Sequence, residues 1–185
     1  MADVAPLMPT PRGEIADMAA LMVVPALRGR VRIVESARVW SWRTRAPSAV
    51  HNAQPFAHVD AVNGVFVVAL SPGDAIVIAE DDLALERLLG LQRSNDDDDG
   101  VFAVDRSEGH IVFELHGDVD AWLTRLGDAA AIPQAIGRGT RLRFADTAAV
   151  VVRLSAHSAW LVADRSLDHY MARWLAYAIE GGCQV

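Results

Sequence analysis

One stretch in the second half of the chain constrains the fold more than any other. Residues 101–126 contain two short, largely apolar runs, Val101–Asp105 and His110–His116, with only three polar residues and a glycine between them. In the second run alternate residues are apolar, which is the two-residue period of a strand. From Val119 onward the apolar residues recur at spacings of three and four, which is the period of a helix packed on a sheet. The stretch therefore predicts strand, tight turn, strand and helix.

The chain around this stretch repeats the same alternation of strands and helices. Residues 64–79 predict two apolar strands joined by a Ser-Pro-Gly-Asp turn, and the acidic residues 80–82 predict the start of a helix. Three more strands and a last helix are predicted downstream. We therefore expect an α+β chain of ferredoxin-like lobes, roughly 18–95 and 100–185, with helices on one face of antiparallel or mixed sheets. The three downstream strands are predicted at Thr140–Ala145, Ala149–Leu154 and Ser158–Ala163.

Three further predictions concern a strand near residue 40 and the last helix. The alternation around Trp40 and Trp42 predicts a strand with both indoles on one face. Ser166 is expected to be the N-cap of the last helix. The buried face of that helix is expected to consist of Leu167, Met171, Trp174, Leu175 and Ala178.

Two polar markers in these segments are similar to those of a known family. Asp105 and Ser107, in a Val-Asp-x-Ser pattern, lead into the apolar strand that begins at His110. Asp164, Arg165 and Ser166 lie between a strand and the last helix. The pattern resembles the folate-binding fold of the aminomethyltransferase of the glycine-cleavage system, the T-protein. In a chain of 185 residues, the pair of motifs most resembles the γ subunit family of heterotetrameric sarcosine oxidase.

The resemblance implies a role without chemistry of its own. It implies a γ-type subunit of a flavoenzyme that oxidatively demethylates an N-methyl amine or amino acid and passes the one-carbon unit to tetrahydrofolate. The implied partners are a large α-type subunit that binds folate and a dinucleotide, a flavin-carrying β-type subunit and a small zinc-binding δ-type subunit. FAD, FMN, NAD, tetrahydrofolate and zinc are expected in those partners, and no catalytic, cofactor-binding or metal-binding residue is expected in this chain.

Two other functions stay open at this stage. The chain could be a free-standing folate-binding module of the T-protein type, which would bind tetrahydrofolate alone. It could also be an interaction protein of the iron–sulfur maintenance type, which shares the fold and relies on a Cys in a Lys-Gly-Cys motif. The single cysteine of this chain, Cys183, follows two glycines and matches that motif poorly.

Composition excludes several classes of partner. The formal net charge is −7, so a nucleic acid partner is not expected.

All 17 basic residues are Arg, and one cysteine allows no intrachain disulfide. The first residues lack the pattern of a secretory signal, and the apolar run Met18–Leu27 is too short to cross a membrane. A cytoplasmic protein is expected, with residues 1–17 as an extended, proline-rich arm.

Two sets of histidines are candidate metal ligands. His51 and His58 lie seven residues apart, but zinc would need further ligands that the sequence does not offer, so loop histidines are expected. His110, Glu114 and His116 share one strand face, where a polar surface is the favoured interpretation.

The remaining polar motifs favour structural roles. Asp105 is expected to close a turn rather than act as a general base, and Arg165 to pair with a neighbouring Asp or lie at an interface. Gly137–Gly139 is too short for a phosphate loop, and Asp96–Asp99 lacks the spacing of a calcium loop.

Overall fold

The computed structural model describes residues 22–24, 29–44, 64–71, 73–86 and 101–179. These ranges contain ten strands, three helices and three short 3₁₀ turns. The strands are β1 (Met22–Val24), β2 (Gly29–Ile33), β3 (Arg38–Thr44), β4 (Val65–Ser71), β5 (Asp74–Ala79), β6 (Val101–Asp105), β7 (His110–His116), β8 (Gly139–Phe144), β9 (Thr147–Ser155) and β10 (Ser158–Asp164). The helices are α1, described over residues 82–86, α2 (Val119–Leu126) and α3 (Asp168–Ile179), and the 3₁₀ turns are Ser107–Gly109, Ala129–Ala131 and Arg165–Leu167.

The strands form two sheets whose described pairings are all antiparallel. The larger sheet has the order β1-β2-β7-β10-β9-β8, and the smaller sheet has the order β4-β5-β3-β6. Each sheet contains strands from both halves of the sequence, since β1 and β2 pair into the larger sheet and β6 pairs with β3 of the smaller one. The α+β class expected from the sequence is confirmed.

The elements stack in layers because each sheet is apolar on both faces. Helices α2 and α3 cover the outer face of the larger sheet, where Phe113, Leu115 and Leu161 are fully buried. The described part of α1 packs Ala84 and Leu85 on the outer face of the smaller sheet. The inner faces of the two sheets meet in a second apolar core, which is formed by Val39, Phe66, Val68, Ile76 and Ile78 on one side and by Val112, Val150, Val152, Trp160 and Val162 on the other.

The contact between the sheets is closest at β4 and β8. A Cβ atom built on Gly139 would lie 2.6 Å from Val68 Cγ2 and 3.2 Å from Val152 Cγ2, which is closer than side chains pack. Glycine therefore allows the backbone of β8 to lie against the side chains of the facing strand. Beside this contact, Trp160 and Phe66 meet edge to face with their ring centroids 5.1 Å apart.

Two predictions about the last helix are wrong. The helix begins at Asp168, and the preceding 3₁₀ turn is capped by Asp164, whose carboxylate accepts from the Ser166 amide. Ser166 is therefore not the N-cap. Trp174 is not part of the buried face, because 36% of it is exposed, and the buried residues of α3 are Met171, Leu175, Ala178 and Ile179.

Other predictions about elements are confirmed. The hairpin β4–β5, the order β6, β7 and α2, and the strands β8, β9 and β10 lie within one or two residues of their predicted bounds. Trp40 and Trp42 lie on one face of β3, packed in the cluster under α1. Among the described residues, no helix is long and apolar enough to cross a membrane.

Candidate functional site

The two Asp-Arg-Ser motifs fold into similar turns. In the first, the Ser107 amide donates to Asp105 Oδ1 over 2.8 Å, and Ser107 Oγ accepts from the Val39 amide over 3.0 Å. In the second, the Ser166 amide donates to Asp164 Oδ1 over 2.8 Å, and the Ser166 hydroxyl donates to the same oxygen over 2.6 Å. Each aspartate thus closes the turn that leads from a strand into a 3₁₀ segment.

Both turns hold their aspartates as carboxylates. Hydrogen bonds from the side chain and backbone of Ser107 lower the pKa of Asp105 below its usual value. The same bonds from the side chain and backbone of Ser166 lower the pKa of Asp164. A general base that works near neutral pH needs a raised carboxyl pKa. The structural role expected for Asp105 therefore fits its surroundings better than a catalytic one.

The fold brings the two turns together. His110 at the start of β7 pairs with Asp164 at the end of β10, so both turns lie at the same end of the larger sheet. Arg165 Nη2 donates to the Ser107 carbonyl over 3.4 Å, so it joins one turn to the other rather than pairing with a neighbouring Asp. The two turns therefore lie side by side at this end of the larger sheet, next to the core between the sheets.

A cleft opens between the sheets beside the two turns. Its volume is about 360 Å³. The sheets touch at Gly139 and Val68 and diverge two residues later, where Arg141 and Leu70 line the cleft. Its polar lining includes Arg106, His110, Arg141 and Asp164, and its apolar lining includes Leu70, Ile76, Val150, Val162 and Leu167.

The residues considered as metal ligands do not form one site. His116 Nε2 lies 2.7 Å from Glu114 Oε1, and Arg32 Nε pairs with the other carboxylate oxygen of Glu114. His110 lies at the far end of the same strand, where its Nδ1 is 2.9 Å from the Arg106 carbonyl. Within the described ranges there is no group of three or more His, Cys, Asp or Glu side chains placed to hold a metal ion.

An aromatic stripe on α3 is the feature that the sequence interpretation missed. Tyr170, Trp174 and Tyr177 meet edge to face, with ring centroids 6.2 Å apart for the first pair and 5.5 Å for the second. All three are exposed, at 39%, 36% and 44%. Their spacing of four and three residues places the three rings on one helical face. The sequence therefore carried a signal for this stripe, but the prediction placed Trp174 on the buried face instead.

The edge of the smaller sheet is a second exposed apolar surface. Strand β6 pairs with β3 on one side and is the last strand of its sheet among the described residues. Phe102 is 57% exposed and Val104 is 48% exposed on this strand. Apolar side chains on an edge strand mark a surface that another polypeptide can cover.

Several residues that the sequence singled out lie outside the described ranges, and the segment 137–139 has a structural role. His51, His58, the run Asp96–Asp99 and Cys183 lie outside the described residues, as does the arm 1–17. Gly137 adopts a positive φ of 75°, and its amide donates to the Arg153 carbonyl over 2.7 Å, so the segment 137–139 is a turn that leads into β8.

Comparison with known proteins gives similarity in structure and none in sequence alone. No protein-family model matches the sequence, and no curated protein matches it significantly. A chain of the heterotetrameric sarcosine oxidase from Corynebacterium sp. U-96, solved with pyrrole 2-carboxylate, superposes with a TM-score of 0.71 at 19% identity, over 93% of this chain and 94% of that one. The aminomethyltransferase T of the glycine cleavage system from Bartonella henselae superposes with a TM-score of 0.54 at 9% identity, over 80% of this chain and 45% of that one. The fold that the motifs suggested is therefore the fold observed.

Proposed function

We propose that this chain is a non-catalytic, γ-type subunit of a heterotetrameric flavoenzyme similar to sarcosine oxidase. The observation that carries the proposal is the two-way coverage of the superposition, which spans nearly all of both chains. The same fold covers less than half of the aminomethyltransferase. The fold therefore matches nearly a whole chain of the oxidase and only part of the aminomethyltransferase.

Exposed apolar surface supports a role within an assembly. The three rings of the aromatic stripe lie together on α3 and are each more than a third exposed. Tyr and Trp are enriched at the centres of protein interfaces because each ring contributes a large apolar area at a small cost in side-chain entropy. A large partner subunit that covers this stripe would remove that apolar area from water.

The chemistry of the proposed complex would belong to the partners. The α-type subunit would bind a dinucleotide and tetrahydrofolate, the β-type subunit would carry FAD and FMN and oxidise the N-methyl substrate, and the δ-type subunit would hold zinc. This chain would support their assembly. The lowered pKa values of Asp105 and Asp164 favour that role, since both carboxylates are engaged by their own turns.

The test is purification of the complex from the native organism through a tag on this chain. The expected eluate contains a flavin-carrying subunit and a large folate-binding subunit, and it oxidises an N-methyl amino acid with release of the one-carbon unit to tetrahydrofolate. Replacing Trp174 and Tyr177 together by Ala should reduce the recovery of these partners. His169→Ala, an exposed change on the flank of α3 away from the stripe, is the matched control and should leave recovery unchanged.

Tetrahydrofolate binding by the isolated chain distinguishes the subunit proposal from one alternative function. A free-standing folate-binding module would bind tetrahydrofolate in a one-to-one ratio without partners, which calorimetry measures directly. Such binding, with no partner recovered, would replace the subunit proposal.

A further inference from the structure

The cleft between the sheets lies where inward-facing positions change from apolar to polar. Along β10 the inner face continues from Val162 to Asp164, and along β7 from Val112 to His110. Cα pairing places Arg141 of β8 opposite Val150 of β9, at the level of the cleft. The sheets have separated at this level, so these positions face an open space instead of a packed core.

Two arginines in the cleft lack partners of opposite charge. Within the described part of the chain, neither the Arg106 nor the Arg141 guanidinium takes part in an ion pair or hydrogen bond. Nearby arginines behave differently, since Arg38 is paired with Asp82 and Arg143 with Asp146. The cleft therefore presents guanidinium groups whose hydrogen-bond donors are available to a ligand.

Asp164, the acidic residue of the cleft, keeps its negative charge, because the amide and hydroxyl of Ser166 that donate to Asp164 Oδ1 are neutral groups. Arg106 and Arg141 together carry two positive charges against this single negative one, so the net charge of these three side chains in the lining is positive. The wall beside them is apolar, formed by Leu70, Ile76, Val150, Val162 and Leu167.

From this arrangement we propose that the cleft binds a small carboxylate with an apolar body, held by Arg106 and Arg141 at the mouth and by the aliphatic wall within. A planar guanidinium matches the geometry of a carboxylate and forms charge-assisted hydrogen bonds with it. The volume of about 360 Å³ is within the range of small-molecule sites and accepts a chain of several carbons. This site is independent of the proposed subunit role, because it uses other residues and requires no partner.

The test uses octanoate as the probe and the full-length chain, with octanol and octylammonium as probes of the same length and different charge. Calorimetry should give saturable binding of octanoate at one site and binding of the other two weaker by about tenfold or more, as expected for loss of a charge-assisted contact. Comparable binding of octylammonium or octanol, or no saturable binding of octanoate, would overturn the proposal.

Variants locate the binding. Arg106→Ala combined with Arg141→Ala should weaken octanoate binding by about tenfold or more. Arg143→Ala, on the same strand but paired with Asp146 away from the cleft, should leave it unchanged. Ala148→Trp should abolish binding by filling the cleft, so the proposal stays testable if the double variant fails to fold. Octanoate affinity that is unaffected in a folded double variant or in Ala148→Trp would show that the anion binds elsewhere.

Discussion

Replacing Gly139 with Ala tests the packing between the two sheets. The added methyl group would lie 2.6 Å from Val68 Cγ2. Val68 is fully buried and its β-branched side chain is stiff about χ1, so the backbone of β4 or β8 must shift to relieve the clash. Overpacking of this kind costs about 1–3 kcal/mol, and the lower backbone entropy of Ala offsets about 0.5–1 kcal/mol of it. We expect a net loss of about 1–2 kcal/mol in the free energy of unfolding.

A double-mutant cycle separates this clash from other effects. Val68→Ala alone should cost about 2 kcal/mol by removing buried methyl groups. In that background Gly139→Ala should be neutral or stabilising, because the new methyl group enters the vacated space, which gives a coupling free energy of about 1–2 kcal/mol. Urea unfolding monitored by circular dichroism measures each corner of the cycle.

The control for Gly139 is Gly109→Ala. A Cβ atom on Gly109 would meet nothing within 4 Å, so this change should alter stability little. If Gly139→Ala is as harmless as Gly109→Ala, or if its cost is the same with and without the Val68 side chain, the two sheets do not touch at this point.

Three further predictions concern single side chains. Arg153 is buried, pairs with Asp120 and donates to the Pro133 carbonyl over 2.9 Å, so Arg153→Ala should cost about 3 kcal/mol in urea unfolding. Trp174→Ala should cost under about 1 kcal/mol in the isolated chain because this ring is partly exposed, and a loss as large as that of a buried aromatic would contradict the exposed stripe. The pKa of Asp105 is lower in the folded chain than its value of about 3.9 in the unfolded chain, so ionised Asp105 stabilises the fold above that pH, and this stability is lost as the pH falls through the folded pKa. The difference in unfolding free energy between the parent protein and Ser107→Ala should therefore decrease between pH 6 and pH 2, roughly the span of carboxyl titration.

Local patterns in the sequence predicted the elements well. The alternation in β7 predicted that Phe113 and Val112 lie on opposite faces of the strand, as observed, because the two-residue period sends successive side chains to opposite sides. The indoles of Trp40 and Trp42 follow the same rule on β3. These features depend on residues close together in the chain.

Features set by distant parts of the chain could not be predicted in the same way. No local signal shows that β6 pairs with β3, or that the turn at Asp105 meets the turn at Asp164 beside a cleft. Trp174 was misassigned because its helical spacing fits the buried face and the aromatic face almost equally. Only the packing of α3 on the sheet decides which face is covered.

We propose that this chain is one subunit of a flavin-dependent N-methyl amine oxidising complex, and native mass spectrometry of the assembly that is purified through this chain tests the proposal. The expected spectrum shows a complex with one copy of this chain beside three different polypeptides, with flavin released on denaturation. Recovery of the chain alone, or only with further copies of itself, would mean that it is not a subunit of such a complex.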